Sequence, residues 1–244
     1  MRAAGARRLG GIGPTIAIAG RDLKAVTASA FGVGLLAGTA ALSGAILVVD
    51  LRGGQARLDQ WFSALVVLVG LLAVLVSTRA FAEEERRGSL ELVLTAPVSR
   101  IQVVIGKLGG ALGVLLAAIA ATAGCPIVVA TMGHPDGGPI LTGYVGLGVA
   151  AVAFAALTGA VSAAAANPLT SAVGGSALLL ALWATGVVAG GARGRVHDVG
   201  TALSPASHLT GFLRGTLAVP DLAYFAALAV FGVGATVAVL SWRR

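Results

Sequence analysis

Apolar residues run along this chain in blocks too long for an ordinary soluble helix, and without the polar face such a helix shows. Six blocks stand out, at residues 31–49, 62–78, 103–131, 141–163, 170–190 and 222–240, each close to or above the ~20 residues that cross a bilayer as a helix. Residues 137–192 hold no charged side chain, so that stretch must cross more than once. The helical pattern breaks there at Asn167 and Pro168, because proline lacks the backbone donor. The fourth and fifth spans are therefore predicted to form an antiparallel hairpin. The pattern predicts an all-α membrane protein with six transmembrane helices, forming one transmembrane domain over residues 1–244.

Composition agrees with this pattern. Hydrophobic residues make up 57% of the chain and charged residues 11%, and the mean hydropathy is +0.94. The net charge of +7 follows the span ends instead of forming aromatic-interleaved patches, which argues for a topological role and against nucleic acid. With the N-terminus inside, twelve basic residues fall on the inner side, including Arg21, Lys24, Arg79, Arg86, Arg87, Arg100 and Lys107. Five fall outside: Arg52, Arg57, Arg193, Arg195 and Arg214. The positive-inside rule then predicts both termini in the cytoplasm. Residues 1–30 form a basic cytoplasmic or interfacial segment. It is expected to be retained, since no short apolar core with a cleavage site follows it. Its Arg21, Asp22 and Lys24 precede the first span, and its cations suit anionic lipid headgroups. Cys125 is the only cysteine, which excludes an internal disulfide.

The densest charge lies in the cytoplasmic loop, residues 80–102, between spans two and three. Residues 80–87 read as a continuation of the second span, interrupted at Gly88. Ser89 then suits an N-cap and Glu91 the positive end of a short helix, with Leu90, Val93 and Leu94 on one face, before Pro97 stops it. Ser99 and Gln102 have capping-box spacing, with Val98 and Val103 as a hydrophobic staple, and start the third span. A short one-sided helix between two spans fits a groove on a cytoplasmic partner, rimmed by Glu83, Glu84, Glu85, Arg86 and Arg87. It equally fits an interfacial helix with solvated charges.

The stretch EEERRGSLELVLTAPVSRIQVVIGK resembles the corresponding loop of ABC-2 type transporter permeases. The matching positions are Glu84, Glu85, Arg87, Gly88, Ser89, Leu90, Glu91, Leu92, Leu94, Pro97, Gly106 and Lys107. The resemblance implies that this loop carries a coupling helix that inserts into a separate ATPase subunit. Glu84, Glu85, Arg87, Gly88, Ser89, Leu90, Glu91, Leu94 and Pro97 would be the ATPase-coupling residues. Residues 204–225, SPASHLTGFLRGTLAVPDLAYF, are similar to the outer segment before the last span in the NosY and gliding-motility permease-like subgroup, through Ser204, Pro205, His208, Phe212 and Gly215. That similarity implies an outer re-entrant or interfacial helix within the extracytoplasmic loop, residues 191–221, with Pro205, His208, Phe212 and Gly215 at an outer gate. The family further implies a second permease subunit, identical or paralogous, a bacterial cytoplasmic membrane, and export as the default direction. No Walker pattern is present, because Gly106 and Lys107 are followed by Leu108 and preceded at the required glycine position by Ile101. ATP and Mg are thus expected on the partner ATPase, with no cofactor on this chain and no enzymatic activity of its own.

Other candidates yield less. His134 and Asp136 lack further metal ligands nearby and read as a Pro-Asp-Gly turn; His197, Asp198 and His208 fit no metal template. Leu209, Phe212, Leu213 and Leu217 recur at helical spacing opposite Thr210 and Arg214, as in a helix lying on or dipping into the outer leaflet. The pairs Gly34/Gly38, Gly106/Gly110, Gly109/Gly113 and Gly186/Gly190 satisfy GxxxG, but with 36 glycines they assign no dimer face. No charge sits in the middle of a span, which favours a weakly polar or lipidic passenger over a small ion. Two other functions compete. A non-transporting membrane scaffold has the same pattern. An intramembrane CAAX-type protease needs two glutamates, three residues and an arginine, and that spacing fails at Gly88 and Ser89.

Overall fold

The computed structural model describes residues 13–52, 58–86, 99–132 and 137–242. Among them the secondary structure is helical without strands, and six helical segments are long and apolar enough to cross a membrane. Helix α1 (Gly13–Thr27) precedes the first span, α2 (Ala30–Arg52). The second span is α3 (Leu58–Ala80), extended after a turn at Phe81 by the short α4 (Ala82–Arg86). The third is α5 (Arg100–Ala121) followed by α6 (Gly124–Met132); the fourth and fifth are α7 (Gly137–Ala164) and α8 (Pro168–Gly191). Two short helices, α9 (Arg195–Leu203) and α10 (Pro205–Leu213), lead into the last span, α11 (Val219–Trp242).

Helix α7 is the hub, touching α3, α5, α8, α10 and α11. Its sequence explains this: Ala150, Ala151, Ala153, Ala155 and Ala156 are buried small residues that let neighbours approach from several sides, and Phe154 fills the space toward Trp183 of α8. In a lipid solvent such close van der Waals packing replaces the hydrophobic drive of a soluble core. Hydroxyls add interhelical bonds. Ser77 and Thr158 lie 2.9 Å apart, Thr78 and Ser171 also 2.9 Å, and Ser162 Oγ donates to the Ser77 carbonyl at 2.7 Å.

The break expected at Asn167 and Pro168 is present, and its cap is a feature the structure adds. Asn167 caps α8 by accepting from the Thr170 N–H at 2.9 Å, and Thr170 closes the capping box. The third span differs from the single helix drawn from its apolarity. It breaks at Thr122 and Ala123, where the Thr122 N–H turns back to Ile119 O (3.1 Å) and the Cys125 N–H to Thr122 O (3.0 Å). Pro126 has no N–H to continue the α-helical ladder there.

Candidate functional site

The 80–102 loop leaves the bundle through α4 and returns through α5, and the structure places a buried charge between those two ends. At Phe81 the helix loosens, with its N–H bonded to Ser77 O at 3.3 Å. Ser162 of α7 takes the next N–H, that of Ala82, at 3.2 Å. That turn points Glu84 inward. Lys107 of α5 is fully buried; its Nζ donates to Ala80 O at 2.8 Å and lies 2.6 Å from Glu84 Oε2 and 3.7 Å from Asp22 Oδ2 of α1. Arg21 completes the group, 2.9 Å from Asp22 Oδ1 and 3.8 Å from Glu84 Oε1. Lys107 sits two turns inside the third span and is held there by carboxylates from two other helices.

Asp22 reaches this point because α1 lies against a glycine stripe on α5. A Cβ at Gly106 would stand 2.9 Å from Ile18 Cβ, and one at Gly110 would stand 2.9 Å from Asp22 Cβ and 3.2 Å from Ala19 O. Two of the four GxxxG pairs therefore seat the N-terminal helix of the same chain, and no second copy is needed to explain them. A cavity of about 190 Å³ opens beside the charges, between Ser29, Val76, Arg79, Glu83 and Val114. Arg79 closes its rim, 3.3 Å from Glu83 Oε2 and 4.0 Å over the Phe31 ring.

Of the residues expected to face a partner, Glu84 thus has an internal cation, and Glu85 lies on α4 with its N–H bonded to Phe81 O at 2.9 Å. Arg87, Gly88, Ser89, Leu90, Glu91, Leu94 and Pro97 lie outside the described residues, as do His134 and Asp136. Where the loop rejoins the bundle, Ser99 accepts from the Gln102 N–H at 3.3 Å and Gln102 Oε1 accepts from the Ser99 N–H at 2.9 Å, the expected capping box. In the sequence Lys107 stands as a motif position and one of the inner-side basic residues, and Asp22 as part of a lipid-facing segment. A lone acid among basic residues, paired with a lysine on a glycine-striped helix face, was the available signal.

The opposite end of the bundle holds the second expected group. Two helices stand there where one was expected. Helix α9 folds back on α8, with His197 Nδ1 2.9 Å from Ala189 O. Helix α10 inserts Phe212, fully buried, against Gly146, while its carbonyl accepts from Thr142 Oγ1 at 2.6 Å. Pro205 is buried at the start of α10. His208 stacks on Tyr224 with ring centroids 4.0 Å apart, and its Nδ1 and Nε2 lie 2.8 Å from Asp221 Oδ1 and 3.1 Å from Ala202 O. Expected to share the apolar face, Leu217 lies beyond the end of α10 and is exposed. The helix stops earlier because Gly215, at φ +85°, forms a Schellman cap: its N–H bonds to Phe212 O (3.2 Å) and the Thr216 N–H to Gly211 O (3.0 Å). Gly215→Ala is therefore expected to cost about 1 kcal/mol through the left-handed backbone alone, since its Cβ meets Pro139 only at ordinary contact distance. A lowered melting temperature in detergent, with unchanged helix content, checks this.

Among the described residues no group of His, Cys, Asp and Glu could hold a metal. No curated protein matches the chain. The sequence profile of the family described as "ABC-2 family transporter protein" matches residues 21–240, from α1 to the last span. Six apolar spans, a charged loop between the second and third, and a profile match over nearly the whole length make this chain a multi-pass membrane permease belonging to the ABC-2 transporter family.

Proposed function

We propose that this chain is the transmembrane subunit of an ATP-driven exporter in a bacterial cytoplasmic membrane. The end bearing α1, α4 and Ser99 faces the cytoplasm, as the excess of arginine and lysine there requires. A separate ABC ATPase, holding ATP and Mg, docks on the 80–102 loop as its coupling helix. A second permease subunit, a copy or a paralogue, completes the pathway. The observation that carries this reading is the anchoring of the loop's two described ends. Both of its ends are fixed, one by Ser162 and Lys107 and the other by the Ser99 cap, so a push on the loop reaches spans two, three and four together. Helices α9 and α10 are the outer gate, with Pro205, His208, Phe212 and Gly215 as its framework, in the manner of the NosY and gliding-motility permeases. The uncharged midplane suits a weakly polar or lipidic passenger.

Purification of the tagged chain from its native membrane in mild detergent should bring a Walker-containing ATPase with it in stoichiometric amount. The paired substitutions Leu90→Asp and Leu94→Asp are expected to lose that subunit at least about tenfold by removing an apolar anchor from the contact. A chain that emerges alone, or with membrane proteins only, would replace this reading by the scaffold.

A further inference from the structure

We propose that Lys107 is a positioning residue that binds the N-terminal helix α1 and the loop-proximal helix α4 into one rigid body on the third span. The proposal rests on the reading of the 80–102 loop as the ATPase contact. It adds that a stroke on that loop is delivered to α1 as well as to the spans.

Four charges alternate in sign around a closed ring: Lys107, Glu84, Arg21 and Asp22, with consecutive separations of 2.6, 3.8, 2.9 and 3.7 Å. They come from three helices, and only Lys107 is fully buried, at 0% exposure. A buried ammonium cannot exchange its acceptors for bulk water, whereas the partly exposed carboxylates and Arg21 can. Separating α4 from α1 therefore strands the one charge that has nowhere else to go. The ammonium is also aimed from behind: Ala80 O, at the end of α3, accepts from it at 2.8 Å, which fixes its height along the span. The contact of α1 with Gly106 and Gly110 leaves no room for α1 to move toward α5, so the ring is held laterally by packing and axially by charge. Under this assignment Glu84 acts inside the permease as the link between loop and lysine.

The test uses the full chain with its accompanying ATPase in lipid nanodiscs, carrying Cys125→Ser and spin labels at Lys24→Cys on α1 and Arg86→Cys on α4, both exposed positions. Labelled chain is diluted with unlabelled chain so that only distances within one chain are read. Electron paramagnetic resonance should show one narrow distance peak, unmoved between the nucleotide-free state and the ATP–vanadate state. Lys107→Met should lose that narrow peak, and Lys107→Arg, which keeps the charge, should restore it. A merely structural lysine would not produce recovery that follows charge. Should Lys107→Met fail to accumulate, the combination Asp22→Asn, Glu84→Gln and Lys107→Met leaves no stranded charge and should lose the peak in the same way. A parental peak that moves with nucleotide, or a neutral variant whose distances match the parent, would overturn the proposal. If no ATPase accompanies the chain, the functional reading falls, while the nucleotide-free comparison of parent and variant still decides this one.

Discussion

Glu84→Ala is expected to be among the most damaging single substitutions in this chain, at about 3 kcal/mol, although Glu84 sits on a five-residue helix at the edge of the bundle. The cost comes from its partner. Lys107 is fully buried 2.6 Å away, and without Glu84 it keeps, among the described residues, Ala80 O, the more distant Asp22 and the Phe81 ring at 5.6 Å. An uncompensated buried charge costs far more than an exposed ion pair contributes. Adding Lys107→Met to Glu84→Ala should recover most of the loss, because the methionine fills the space without a charge. Asp22 still has Arg21 at 2.9 Å in that double variant. Thermal unfolding of the four proteins in one detergent gives the cycle. Equal and additive losses from the two substitutions would mean that the pair is not coupled and that the lysine is solvated.

How much of this was legible in the sequence depends on the range of the interaction. The six spans were readable because each is a continuous apolar block, and their bounds move by only a few residues in the structure, apart from the second, which α4 carries on to Arg86. The Ser99 cap was readable because a capping box is complete within four residues, and the break at Asn167 because Pro168 cannot continue a helix. The break at Thr122 was hidden inside apolarity, since Thr, Gly and Pro in a membrane block leave its hydropathy intact. The seat of α1 on Gly106 and Gly110 was hidden for a different reason. A glycine pair states that something approaches closely and says nothing about what does. The same holds for Lys107, whose residue type marks a span end but whose partners lie on helices distant in the chain. At the outer end the period of Leu209, Phe212 and Leu213 was correct, and Leu217 was misplaced because a glycine with positive φ ends the helix first.

A large packing effect is expected at Gly232, in the middle of the last span. This position attracts no functional reading from its sequence, but here α11 crosses the hub helix α7. A Cβ at Gly232 would overlap the backbone of Ala156 and stand 2.7 Å from Leu157 N. A side chain in the way can rotate, whereas the interior of a membrane helix cannot give without breaking its own ladder. Gly232→Val should therefore push α11 off α7 and cost more than about 3 kcal/mol. Gly234→Val, two residues away with nothing within 4 Å of its Cβ, should cost no more than the about 0.5 kcal/mol of an ordinary surface change. Because Phe225 of α11 contacts Phe212 of α10 edge-on, with ring centroids 6.5 Å apart, displacement of the last span should also loosen the outer helices. A cysteine placed at buried Leu209 should then react faster with a membrane-impermeant maleimide in the Gly232→Val chain than in the parent. If the two glycine variants melt together, the contact between α7 and α11 cannot be the close backbone crossing described, and the hub would have to be rebuilt around α3 and α8.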